Sequence, residues 1–63
     1  MTYNDYICGR ELDVHDHPFY GLIQAAMRRA DTKNLEMLKT CWPEIWDDLQ
    51  KRYNAPGGRL EGD

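Results

Sequence analysis

The sequence predicts an all-α protein, a helical hairpin or three short helices behind an irregular N-terminal arm, with a tendency to self-associate. Three observations predict it. Phe19, Leu22, Ile23, Ala26, Met27 and Ala30 recur at i, i+3, i+4, i+7, i+8 and i+11, the spacing of one apolar stripe on a helix. Leu35, Leu38, Trp42, Ile45, Trp46, Leu49 and Tyr53 form a second stripe of the same kind. Only Asp31 to Asn34 separate the two, so the chain must reverse in a tight turn.

Residues 1–16 read as an arm. Tyr3, Tyr6, Ile7, Leu12 and Val14 keep neither the strand nor the helix period for long, and Gly9 interrupts them. Their apolar side chains need cover, which suggests an arm lying on the hairpin with one helical turn or a short extended piece. The core is expected over residues 17–54. Its first helix opens at Asp16-His17-Pro18, with Asp16 or His17 as the cap and Pro18 in the first turn, where its missing N–H is no loss. Arg28 and Arg29 suit the negative end of that helix.

Asp31 caps the next helix, with Thr32 as an alternative. Pro43 then removes a hydrogen bond and disfavours helical geometry at Trp42. Glu44, Asp47 and Asp48 look like a fresh N-terminus, so a break into two helices is preferred to a kinked helix running over 32–53. The choice matters for packing. A helix over 18–30 spans about 20 Å and one over 32–53 about 33 Å, so an unbroken second helix would need a further partner for Trp42, Trp46 and Leu49. Asn54-Ala55-Pro56-Gly57-Gly58 stops the last helix, leaving residues 55–63 as a polar tail.

A 63-residue chain forms one domain at most. At this length only about 60% of the unfolded surface is buried, and such folds commonly recruit disulfides, metals or a second copy. Cys8 and Cys41 lack a CxxC pattern and read as reduced thiols, with a bridge from arm to hairpin as the alternative. No apolar run approaches the about 20 residues of a membrane span and no signal-peptide pattern opens the chain, so a soluble, cytoplasmic protein is expected, without a membrane partner. The net charge of −3 disfavours a general nucleic-acid binder. Asp47–Lys51 and Asp48–Arg52 are i,i+4 pairs in the favourable order, so much of the charge belongs to solvated helix faces.

Few residues suggest chemistry. Asp13-Val14-His15-Asp16-His17 contains metal-ligand types, but structural sites draw ligands in pairs from separated segments, so we read it as a polar turn leading into a helix cap and expect no metal and no cofactor. No nucleophile has a local base and no phosphate loop is present, which points away from an enzyme. Tyr20, Gln24 and Arg28 fall at i, i+4 and i+8, with Arg29 and Lys33 nearby. An aromatic ring with cations suits a nucleotide base and its phosphates, especially between subunits, although arginines at a helix C-terminus also need no ligand. Trp42 and Trp46, one turn apart, read as core or interface anchors. Gly21 and Ala25, with Ala26, allow a neighbouring helix to approach closely, which supports a homo-oligomer.

The run Trp42-Pro43-Glu44-Ile45-Trp46-Asp47-Asp48-Leu49-Gln50-Lys51-Arg52-Tyr53-Asn54-Ala55-Pro56-Gly57-Gly58, preceded by Ala30-Asp31-Thr32-Lys33-Asn34-Leu35, resembles small helical accessory proteins encoded by bacteriophages and prophages. The resemblance covers residues 18–60 and transfers no functional residue. It implies a non-enzymatic phage protein that counters a bacterial defence system, either by sequestering a nucleotide signal or by blocking a host defence protein. A virion structural or assembly protein is the first alternative. A helix-turn-helix regulator is the second, disfavoured because Glu44, Asp47 and Asp48 would face the DNA.

Overall fold

The computed structural model describes residues 1–63 and contains helices and no strand. Four α-helices follow in order: α1 (Tyr3–Asp13), α2 (Phe19–Arg29), α3 (Thr32–Cys41) and α4 (Pro43–Tyr53), with a 3-10 turn at Pro56–Gly58. The all-α expectation holds, and α2, α3 and α4 are the three short helices of the core.

The arm differs from expectation. Residues 3–13 form a regular helix, and it packs against no other helix. Its start is fixed by a reciprocal cap: the Asp5 backbone N–H donates to Thr2 Oγ1 at 3.1 Å, and the Thr2 N–H donates to Asp5 Oδ2 at 2.9 Å. Gly9 weakens this helix without ending it, since one interior glycine costs about 1 kcal/mol against alanine. The arm therefore projects from the hairpin instead of lying on it.

The entry to α2 also lies elsewhere than expected. Neither Asp16 nor His17 caps it; Pro18, in extended geometry (φ −60°, ψ 138°), is itself the cap residue, and its carbonyl accepts from the Leu22 N–H at 3.1 Å. Asp31 caps α3 as expected, accepting from the Asn34 N–H at 2.8 Å. Between α2 and α3 only Ala30 and Asp31 are non-helical, which sets the tight reversal.

The chain breaks at Pro43. Trp42 (φ −133°, ψ 64°) ends α3 and begins α4 at once. Its N–H donates to the Leu38 carbonyl at 2.8 Å, closing α3, and its carbonyl accepts from Trp46 at 3.2 Å, opening α4. Pro43 stands at the first helical position, where no donor is missed. The break lets α4 fold back so that it packs on both α2 and α3.

The core is very small. Only Met27 (3% exposed) and Leu49 (5%) are buried. Ile23, Leu35, Leu38, Trp42, Ile45 and Trp46 are half-buried around them. Phe19, Leu22 and Tyr53, all members of the two stripes, remain exposed because three short helices cannot enclose both stripes completely. Replacing Leu49 with alanine is expected to lower unfolding free energy by about 2–5 kcal/mol. Tyr53→Ala, at a position 83% exposed, is expected to change it by less than about 0.5 kcal/mol. Urea titrations followed by circular dichroism compare the two; equal effects would contradict a core centred on Leu49.

Candidate functional site

Two groups of residues stand out beyond the core: an aromatic edge at the corner and a polar clamp on α4. At the edge, the rings of Phe19 and Trp42 meet edge to face with centroids 6.2 Å apart, and Tyr20 packs on Phe19 in the same manner at 5.4 Å. Phe19 and Tyr20 are nonetheless 59% and 58% exposed. A hollow of about 270 Å³ beside them is lined by Tyr20, Cys41, Trp42, Pro43, Glu44 and Ile45. The corner thus presents aromatic surface to solvent while the Trp42 ring, half-buried, ties it to α2. Trp46 is also half-buried, with the Lys39 ammonium 4.9 Å from its ring centre and Lys39 paired to Glu36 at 3.2 Å.

The clamp is a chain of polar contacts crossing three segments. Gln24 donates to Asp48 Oδ2 at 3.1 Å, joining α2 to α4. Arg52 Nε donates to the same oxygen at 3.0 Å. The Arg52 Nη1 donates to the Gly58 carbonyl at 2.8 Å, and both terminal nitrogens hold Asp63, each at 2.7 Å. Gly57 and Gly58 adopt positive φ of 62° and 71°, the left-handed geometry that turns the chain back toward Arg52. The i,i+4 pair Asp48–Arg52 therefore forms as expected, and so does Asp47–Lys51 at 2.9 Å. The further role of Arg52, holding Gly58 and Asp63 six and eleven residues on, has no periodic signal in the sequence.

The charges respond accordingly. Hydrogen bonds from Arg52, then from the Leu60 N–H, hold the Asp63 carboxyl well below the usual carboxylate range. Hydrogen bonds to Asp63 and Asp48 keep Arg52 protonated at any accessible pH. The hydrogen bond with Asp47 raises Lys51 above its ordinary value.

The proposed nucleotide ligands do not converge within one chain. Gln24 is engaged with Asp48. Tyr20 belongs to the corner edge. Arg28 borders a hollow of about 250 Å³ with Met27, Trp46, Leu49, Gln50 and Tyr53, whereas Arg29 lies on a different face, in a groove of about 650 Å³ between α1 and α2. Lys33 is exposed in the first turn of α3. Of the small residues, Ala25 lines the α1–α2 groove, while Gly21 faces the Pro18 ring, where an added Cβ would sit 3.8 Å away in ordinary contact.

The His15 and His17 rings are tilted by 50° to each other, with centres 5.8 Å apart, in the turn before α2. No three His, Cys, Asp or Glu side chains are arranged to hold a metal ion. Cys8 and Cys41 are both exposed free thiols. No helix is long and apolar enough to cross a membrane. In comparisons with known proteins, the chain matches no family model, no curated protein and no solved structure.

The clamp carries a pH signature with a definite sign. Because the folded Asp63 has a lowered pKa, its contribution is present above the unfolded value of about 3.9 and is lost as pH falls through the folded value. Carbon-detected NMR is expected to show Asp63 titrating well below the ordinary aspartate value of about 3.9, and Arg52→Ala is expected to raise it toward that value, the Leu60 N–H bond remaining. Titration of Asp63 at about 3.9 in the wild type would contradict the clamp.

Proposed function

We propose that this protein acts by binding, as a non-enzymatic phage accessory protein that counters a bacterial defence system by blocking a host protein. The observation that carries this reading is the exposed aromatic edge of Phe19 and Tyr20, held against the half-buried Trp42. Aromatic rings that pack edge to face yet face solvent supply large contact area, and aromatic residues are prominent among the anchors of protein interfaces. The phage setting comes from the resemblance of residues 18–60.

Sequestration of a nucleotide has less support in a single chain. Arg28 and Arg29 face different hollows and Gln24 is already engaged, so phosphate-binding groups would have to be gathered from two copies. A helix-turn-helix regulator also fits poorly, because α3 and α4 meet at the single residue Trp42, where that motif uses a turn of three or four residues. A virion assembly role would use the same exposed apolar surface and is separated from blocking by experiment.

The test is expression of the chain in bacterial strains that each carry one defence system, followed by phage plating. The wild type is expected to restore plaques in at least one strain. Tyr20→Ala, which loses one aromatic pair worth about 0.5–1.5 kcal/mol and leaves the core intact, is expected to abolish that rescue. Arg28→Ala and Arg29→Ala are expected to retain it. Loss of rescue with the arginine variants alone would favour nucleotide sequestration, and no rescue in any strain would favour assembly.

A further inference from the structure

The chain leaves more surface in water than a folded protein of its size. Its accessible area is 5683 Å², whereas a compact monomer of this mass exposes about 4,200 Å². Its radius of gyration is 13.5 Å, against about 11 Å for a compact domain of this length. Most of the difference has an evident source, since α1 projects without a packing partner. The excess of about 1,500 Å² per chain is well above the about 800 Å² each partner contributes to a standard interface and lies within the range of obligate homodimers.

Two complementary surfaces are left open. Tyr3, Tyr6 and Ile7 on α1 and its C-cap residue Val14 share one side by helical spacing, with Arg10 among them, and all but the half-buried Ile7 are exposed. On the body, Leu22, Ala25, Ala26 and Met37 border two adjoining hollows, one between α1 and α2 and one over the α2–α3 elbow, which share Ala26 and Arg29. The charges match as well. Helix α1 carries Asp5, Glu11 and Asp13 against a single Arg10, while Arg29 borders both hollows and Lys33 is exposed at the start of α3.

We propose that the protein is a two-fold dimer in which α1 of each copy lies across the α2–α3 elbow of the other. The occupant of the trough is a second copy because this chain itself carries a net-negative helix with exposed Tyr3 and Tyr6 that packs on no other helix. A reciprocal exchange forms every contact twice, the self-complementary geometry of two-fold dimers. The small side chains of Ala25 and Ala26 let the incoming helix sit close to α2. This surface uses a side of α2 other than that of Tyr20, so the proposal is independent of the functional reading above.

The experiment is light scattering of the full chain at micromolar concentration, with Ile7→Glu and Met37→Glu beside the wild type. The wild type is expected at twice the 7.4 kDa of one chain, and each variant at the single mass. Near-ultraviolet circular dichroism of Trp42 and Trp46 is expected to stay unchanged, since neither replaced side chain is buried. In a second measurement, unlabelled Cys41→Ser carrying a spin label on Cys8 is mixed with isotope-labelled Cys41→Ser chains. Broadening of Ala26, Arg29 and Met37 amides in the labelled copy is expected. A wild type at the single mass, a dimer that survives both variants, or broadening confined to the Trp42–Pro43 corner would each overturn the proposal.

Discussion

The packed half of this chain depends on the corner at Trp42–Pro43. A proline ring disfavours helical geometry in the residue before it, and Trp42 accordingly leaves the helix (φ −133°, ψ 64°). The corner is nevertheless economical in hydrogen bonds: the Trp42 N–H completes α3 and its carbonyl starts α4. The consequence is directional. An unbroken helix would carry Ile45, Trp46 and Leu49 beyond the reach of α2, whereas the break returns them to it, and Leu49 becomes one of the two buried side chains. Gln24 then meets Asp48, Asp48 meets Arg52, and Arg52 gathers the tail. The same turn places the Trp42 ring against Phe19, which supports the exposed aromatic edge.

The other half of the chain shows what that small core leaves undone. A domain of this size has little apolar area to spare, yet Tyr3, Tyr6, Leu12, Val14, Phe19, Tyr20 and Met37 all lie more than half in water or nearly so. Exposed apolar groups scattered singly mean little, but contiguous ones mark sites of association. Here they fall into two sets with separate consequences. The edge at Phe19 and Tyr20 is backed by the Trp42 ring, which meets Phe19 edge to face, and is the surface proposed for a host protein. The set on α1 and beside Ala26 and Met37 is the surface proposed for a second copy.

Much of this was legible in the sequence because helix periodicity and proline chemistry are local. The two stripes, the Asp31 cap, the break at Pro43 and the i,i+4 pairs all follow from residues within a few positions of one another. Helix α1 was legible too, through Thr2-Tyr3-Asn4-Asp5, a Thr followed three residues later by an acid. Gly9 and the mixed composition masked that signal, since a single glycine lowers helix propensity without forbidding the helix. The placement of Pro18 as the cap, in place of Asp16 or His17, depends on where the chain straightens before α2, which side-chain preference does not determine. The divergence of Arg28 and Arg29 follows from the roughly 100° between neighbours on a helix, but which face is solvent-filled depends on α1 and α4. The attachment of Asp63 to Arg52 depends on two left-handed glycines and a tertiary approach, and no spacing rule announces it.

The central claim is that α2, α3 and α4 pack around Met27 and Leu49 while α1 packs on none of them. Amide hydrogen exchange, measured residue by residue over a dilution series, tests this most directly. The account predicts that amides around Leu49 and Met27 stay the most protected at every concentration, while protection along Tyr6–Leu12 falls toward that of an isolated helix as the protein is diluted. Protection of α1 equal to that of α4, and independent of concentration, would contradict it.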